Sequence, residues 1–181
     1  MKASNLILKA AQFAALRHRD QRRKDTESSP YIIHPISVAL VIADIGGIED
    51  PELLAAALLH DTLEDTNTAA LELEELFGST VRGYVEEVTD DKSLPKAERK
   101  QKQIERAAGL TAGATLIKLG DKISNVGDVT HTPPLDWDME RRKRYLDWAE
   151  AVIDNCPKVN NLLEQRFQDV LARGRQTLIE A

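Results

Sequence analysis

The sequence predicts an all-α domain, and three observations carry that reading. Aromatic residues make up 4% of the chain while Ala and Leu are abundant, a balance that favours helix over strand. No segment shows the Val/Ile/Thr alternation of a half-buried strand. Apolar residues recur instead at helical spacing between start and stop signals. With 42% hydrophobic and 30% charged residues over 181 positions, the chain has the composition of a soluble globular protein with a sizeable core. It is read as one domain, residues 1–181, with a motif-bearing core over about 4–155 and a C-terminal packing helix over about 158–179.

The first helix is expected from about Ser4, as N-cap, to Arg19, with Leu6, Ala10, Phe13 and Ala14 on one face. It runs into the basic cluster Arg17-His18-Arg19-Asp20-Gln21-Arg22-Arg23-Lys24-Asp25, which reads as a solvated face or as an anion site. After the loop 26–30, Tyr31-Ile32-Ile33-His34-Pro35 introduces a second helix to about Ile45, stopped by Gly46-Gly47. Asp50 as N-cap and Pro51 at the first helical position open a third. That helix is expected to carry His60 and Asp61. Thr68 is expected to cap a short helix from Ala69 to Phe77, and Ser79 to start another through Val88. A polar turn over 89–96 precedes a Lys/Arg/Gln/Glu-rich helix to about Ala108. Ala114 to about Asn125 is the next helix, Val129 to Trp137 a loop holding His131, and Met139 to Asn155 a helix. The last helix runs from about Val159 to Ile179.

The formal net charge is −6, which disfavours general binding to nucleic acid or an anionic membrane. Cys156 is the single cysteine, so no intramolecular disulfide forms, and a packing role in a reducing, cytoplasmic setting fits. No segment has the length of a membrane span, and Lys9 and Gln12 interrupt any signal-peptide core. There is no GxGxxG, no Walker loop and no internal repeat.

The chemistry is concentrated in Leu58-Leu59-His60-Asp61-Thr62-Leu63-Glu64-Asp65-Thr66, directly after the apolar run 53–59. Charge delivered by a buried helix is costly, and a metal ion is the usual compensation. Adjacent residues on a helix diverge by about 100°, yet a helix end aimed between them lets both reach one ion. The bland alternative is a helix C-terminus with solvated acids. His34, near a helix N-terminus, is either a neutral ligand imidazole or a capping residue. Asp121, set among Leu116, Ile117, Leu119 and Ile123, needs a partner: Lys118, Lys122 or a metal.

The order His34, then His60-Asp61, then Asp121 resembles the HD-domain metal site. Five ordered segments carry a closer likeness: 17–25, Tyr31–Pro35, Ala57–Thr66, Val85–Lys92 and Lys118–Asn125. Over about Ala10 to Ala149 they resemble the hydrolase half of RelA/SpoT proteins, most of all the stand-alone small alarmone hydrolases that include the metazoan SpoT homologue. The resemblance implies an HD-domain helical bundle and Mn²⁺-dependent hydrolysis of guanosine 3′,5′-bis(diphosphate), or its pentaphosphate form, to GDP or GTP and pyrophosphate. By position, His34, His60, Asp61 and Asp121 would hold Mn²⁺, and Glu64 and Asp65 would orient and deprotonate the attacking water. Asn125 would hold the ribose or the 3′-phosphate edge, Arg23 and Lys24 would contact base and phosphates, and Lys96, Arg141 and Tyr145 the 5′-diphosphate or ribose.

Two positions depart from the family pattern: Gly120 stands where Ala is usual, and Gly127 where relatives carry Arg. Each glycine weakens a helix by about 1 kcal/mol relative to Ala, and the missing guanidinium bears on the substrate more than on the metal. Two other functions use the same residues. One is a metal-dependent phosphatase acting on another ribose-phosphorylated nucleotide such as NADPH. The other is a non-catalytic nucleotide sensor. Oligomeric state is not readable.

Overall fold

The computed structural model describes residues 2–180, and among them the secondary structure is helical, without a strand. The elements in order are α1 (Ala3–Arg17), α2 (Ile33–Asp44), α3 (Pro51–Leu59), α4 (Thr62–Asp65), α5 (Ala70–Phe77), α6 (Ser79–Val88), α7 (Lys96–Ala107), α8 (Ala112–His131), α9 (Met139–Asn155) and α10 (Asn161–Glu180). No described helix is long and apolar enough to cross a membrane.

Helix α8 is the axis of the bundle. It packs on α2, α10, α9 and α6, and Ala114, Ile117, Leu119 and Val126 along it are buried. Gly120 explains one of these contacts. A Cβ there would lie 2.9 Å from Ile42 Cγ1 and 3.2 Å from Val38 Cγ1, so its absence lets α2 approach α8 closely. Around this axis α1 packs on α3, α3 on α2 and α6, and α7 on α9. The core of Leu6, Ile42, Leu59, Leu73, Phe167 and Leu171 is continuous across these layers.

Several boundaries differ from the sequence reading. Ser4 lies inside α1, whose N-cap is Lys2 without a side-chain hydrogen bond. Thr68 does not cap α5; Ala69 holds the cap position, and the Thr68 hydroxyl lies 2.7 Å from that of Thr66. Helix α8 does not end near Asn125. Val126, Val129 and Thr130 continue its buried face, and His131 is its last residue rather than part of a loop. The C-terminal helix begins at Asn161 because Asn160 caps it, accepting from Leu162 N and Leu163 N, while Glu164 accepts from Val159 N and Asn160 N. Asp50 and Pro51 open α3 as expected, with Asp50 accepting from Glu52 N and Leu53 N.

Candidate metal centre and nucleotide cleft

The third helix stops at Leu59 instead of continuing through Asp61. His60 is its C-cap in helical conformation, and Asp61, at φ −95° and ψ −3°, turns the chain into α4. This corner solves the divergence of adjacent helical residues, bringing His60 Nε2 within 3.1 Å of Asp61 Oδ2. Two further helices converge on the point. His34, in the first turn of α2, sets Nε2 3.8 Å from Asp61 Oδ2 and 3.2 Å from Asp121 Oδ1. Asp121 comes from the middle of α8, with Oδ1 3.9 Å from His60 Nε2.

Ligand atoms of His34, His60 and Asp121 lie within 4.8 Å of one another, and Asp61 touches both imidazoles. The donor set fits a divalent ion on an independent ground. His60 Nδ1 lies 2.8 Å from Ala57 O, so it carries the proton and donates. That turns Nε2 toward Asp61 and Asp121, where it carries a proton in the metal-free protein and offers a lone pair once a cation takes the proton's place. In the metal-free protein burial pushes the His60 imidazole toward neutrality, but the carboxylates of Asp61 and Asp121 outweigh it and raise its pKa to about 9. Burial also opposes ionisation of Asp61, yet His60 and His34 hold it below the usual carboxylate range. Asp121 likewise stays ionised, held by Lys122 and the imidazoles. Lys122 Nζ donates to Asp121 Oδ2 at 2.9 Å and Asn125 Nδ2 to Oδ1 at 2.5 Å. The lysine partner and the cluster therefore coexist on one carboxylate.

The sequence reading missed the residue that orients Asp61. The Tyr31 hydroxyl donates to Asp61 Oδ2 at 2.6 Å and lies 3.5 Å from Asp65 Oδ2. Buried His18 stacks on the Tyr31 ring with centroids 4.9 Å apart and bonds Gln21 at 2.8 Å. Gln21 in turn donates to Asp65 O at 2.6 Å. The basic segment is thus partly structural. An isolated bridge between Arg22 and Pro30 closes the loop that delivers Arg23, Lys24 and Tyr31.

Glu64 and Asp65 differ in their surroundings. Burial raises the Glu64 pKa to about 7. Asp90 N donates to it at 3.1 Å, which works the other way, but the charges of Asp90, Asp61 and Asp65 reinforce the rise and outweigh Arg99 Nη1 at 3.5 Å. Asp65 pairs with Lys92.

The cluster floors a cavity of about 290 Å³ that also takes in Glu64, Asp65, Lys96, Arg99, Lys100 and Gln103. The last four stand at i, i+3, i+4 and i+7 on α7, one polar helix face, a periodicity in the sequence that could have identified them. A second cavity of about 240 Å³ holds Arg23, Lys24 and Asp128. Tyr31, Asn125, Trp137 and Tyr145 line both, so the two are lobes of one cleft. Arg23 pairs with Asp128 at 2.5 Å. Arg141 lines neither lobe; it pairs with Asp136 at 3.2 Å and lies over the Trp137 ring. Lys100 lies over Trp148 and Tyr145, at 4.4 and 5.5 Å.

A family model for the HD domain matches residues 10–145. The guanosine-3′,5′-bis(diphosphate) 3′-pyrophosphohydrolase MESH1 of Xenopus tropicalis is 50% identical over 162 residues, 90% of each chain. The Homo sapiens protein of the same name is 46% identical over 172 residues, 95% of this chain and 96% of that one. A solved structure described as a metazoan ortholog of SpoT that hydrolyzes ppGpp superposes with a TM-score of 0.90 at 44% identity, covering 93% of this chain and 94% of the other. A match over at least nine-tenths of the chain, joined to a corner that brings His60 and Asp61 against His34 and Asp121, leaves one conclusion: the chain belongs to the HD-domain family, in the branch that these MESH1 proteins define.

Proposed function

We propose that the chain is a Mn²⁺-dependent pyrophosphohydrolase that removes the 3′-diphosphate of guanosine 3′,5′-bis(diphosphate). The observation that carries the reading is the division of the cleft. One wall holds an imidazole–carboxylate cluster with a near-neutral carboxylate beside it, and the rest of the lining includes the cations Lys96, Arg99, Lys100, Arg23 and Lys24. The names of the MESH1 relatives supply the substrate class.

His34, His60, Asp61 and Asp121 would hold the ion, which when bound supplies Lewis-acid polarisation and a more acidic water. Glu64 takes the proton of the attacking water, a task suited to a carboxylate titrating near 7. Asp65, fixed by Lys92 and Gln21, orients that water. Attack at the phosphorus bonded to the 3′-oxygen breaks the P–O3′ bond, and the 3′-oxygen leaves as a hydroxyl by taking up the proton that Glu64 received from the water. Lys96, Arg99 and Lys100 hold phosphoryl oxygens from α7. Arg23 and Lys24 serve the nucleoside lobe with Asn125, where Trp137 and Tyr145 offer ring surfaces. Arg141 stands at the rim and acts on the 5′-diphosphate only if its pair with Asp136 opens. The site recognises a free nucleotide in the cytoplasm.

The test incubates the purified chain with Mn²⁺ and either ppGpp or NADPH, scoring pyrophosphate and orthophosphate separately. Pyrophosphate with GDP from ppGpp is the expected result. Orthophosphate from NADPH alone would move the substrate assignment, and nucleotide binding without turnover under any divalent ion would make the protein a sensor.

A further inference from the structure

On the opposite side of α8 from the metal cluster, a cleft of about 260 Å³ opens between α2, α8 and α10. We propose that this cleft is a second site, for a small phosphate-bearing anion. Its lining includes Arg166, Arg173, His131 and Ser124 and no Asp or Glu, although the chain has 30 acids against 24 bases. Arg166 and Arg173 stand seven residues apart on α10 and so share a face, about 10 Å apart along the axis. Two guanidiniums borne on one helix face can fork onto the two ends of an anion such as pyrophosphate, where a single phosphate engages one. Arg166 Nε is buried and has no hydrogen-bond partner among the described residues, a donor that a bound oxyanion satisfies. Gly127 borders open space in this wall, where a Cβ would meet nothing within 4 Å.

The hydroxyls in the wall are not equivalent. Ser37 donates to Ile33 O and Thr130 to Val126 O. Ser124 Oγ lies 3.2 Å from His34 Nδ1. Ser124 is thus the hydroxyl of this wall that faces a side chain rather than its own helix backbone, and it is placed to turn toward a bound anion.

The experiment is an NMR titration of the ¹⁵N-labelled, metal-free chain with inorganic pyrophosphate and, separately, orthophosphate. Saturable shifts at the amides of Gly127, Thr130 and His131 are expected, with pyrophosphate at least tenfold tighter than orthophosphate. The Arg166→Gln/Arg173→Gln variant should weaken the rear shifts at least tenfold, while Lys96→Ala should leave them in place. Gly127→Glu, whose side chain has room, should abolish them without lowering the melting temperature. Shifts confined to the α7 lobe, or rear shifts unchanged in Gly127→Glu, would overturn the proposal.

Discussion

Glu64→Gln should cost the enzyme its turnover and make the protein more stable. Burial and the neighbouring carboxylates raise this group from 4.5 to about 7 in the folded chain. The folded state therefore holds the proton more tightly than the unfolded one. Stability from the protonated form is complete below pH 4.5 and drains away as the pH rises to about 7. Above that, the fold carries an ionised carboxylate in a place that disfavours it. Gln imitates the protonated acid and keeps the acceptor for Asp90 N. Its advantage is thus zero below pH 4.5, grows through the window and levels above pH 7. The full shift corresponds to about 3 kcal/mol at 1.36 kcal/mol per pKa unit. Partial solvent exposure and the lost pair with Arg99 reduce this to about 1–2 kcal/mol, or roughly 3–6 °C in melting temperature. The assay is calorimetric melting of metal-free parent and variant at pH 4 and pH 8, with turnover on Mn²⁺ alongside. A gain of equal size at both pH values would mean that packing, not ionisation, separates the two proteins. Turnover surviving in the variant would remove Glu64 from the role of base.

Three further outcomes follow from named contacts. Tyr31→Phe deletes the hydroxyl that donates to Asp61 Oδ2 at 2.6 Å, a bond to a charged acceptor worth about 1.5–3 kcal/mol; Mn²⁺ affinity should fall roughly 10–100-fold by titration calorimetry, and unchanged affinity would detach Tyr31 from the cluster. Burial and the cations of Lys96 and Lys122 lower the Lys100 pKa to about 8, so Lys100 loses its charge as the pH passes that value. The KM for the nucleotide should rise on that limb, and Lys100→Met should raise KM at neutral pH and erase the limb. Phe167 is fully buried where α10 meets the core, and Phe167→Ala should lower stability by about 3–5 kcal/mol by denaturant unfolding; a loss below about 1 kcal/mol would make α10 an appendage rather than part of the core.

The helices were largely legible because their ends are written locally. Asp50 with Pro51, and the Gly46-Gly47 stop, are chemical signals that need no tertiary context. The extent of α8 was not legible in the same way. The glycines at 120 and 127 read as weakening the helix, and the prolines at 133 and 134 as placing a loop from Val129 onward. What sustains the helix is burial of Val126, Val129 and Thr130 against other elements, and a window of sequence does not report that. The cluster residues could be named from the sequence because a buried helix end carrying His and Asp demands compensation. Tyr31 could not, since a tyrosine before a helix looks the same whether its hydroxyl meets water or a carboxylate. Arg141 shows the converse limit: its charge was legible in the sequence, its pairing with Asp136 at the rim was not.

The corner at His60 and Asp61 explains why charge is affordable in this interior. A straight helix through Asp61 would send one of the two side chains away from the other, leaving a buried ionised group unpaired at a cost of several kcal/mol. Breaking the helix there costs the continuation of α3 but lets each charged group find a partner: Asp61 meets two imidazoles and Tyr31, and Asp121 meets His34, Lys122 and Asn125. The same break carries Glu64 one turn onward, away from these partners and against Asp90, where it stays near neutral pKa. One local bend thus separates an acid kept ionised beside the imidazoles, Asp61, from an acid held near neutral pKa, Glu64, the division that the proposed roles of ligand and base require. A His60→Asn variant should keep the bend, because the Asn side-chain amide can still donate to Ala57 O, while losing the imidazole lone pair. Its helix content by circular dichroism should match the parent while Mn²⁺ affinity falls at least tenfold. A parallel collapse of helix content would show that the imidazole holds the corner itself, and the separation of roles along the chain would then depend on the site rather than create it.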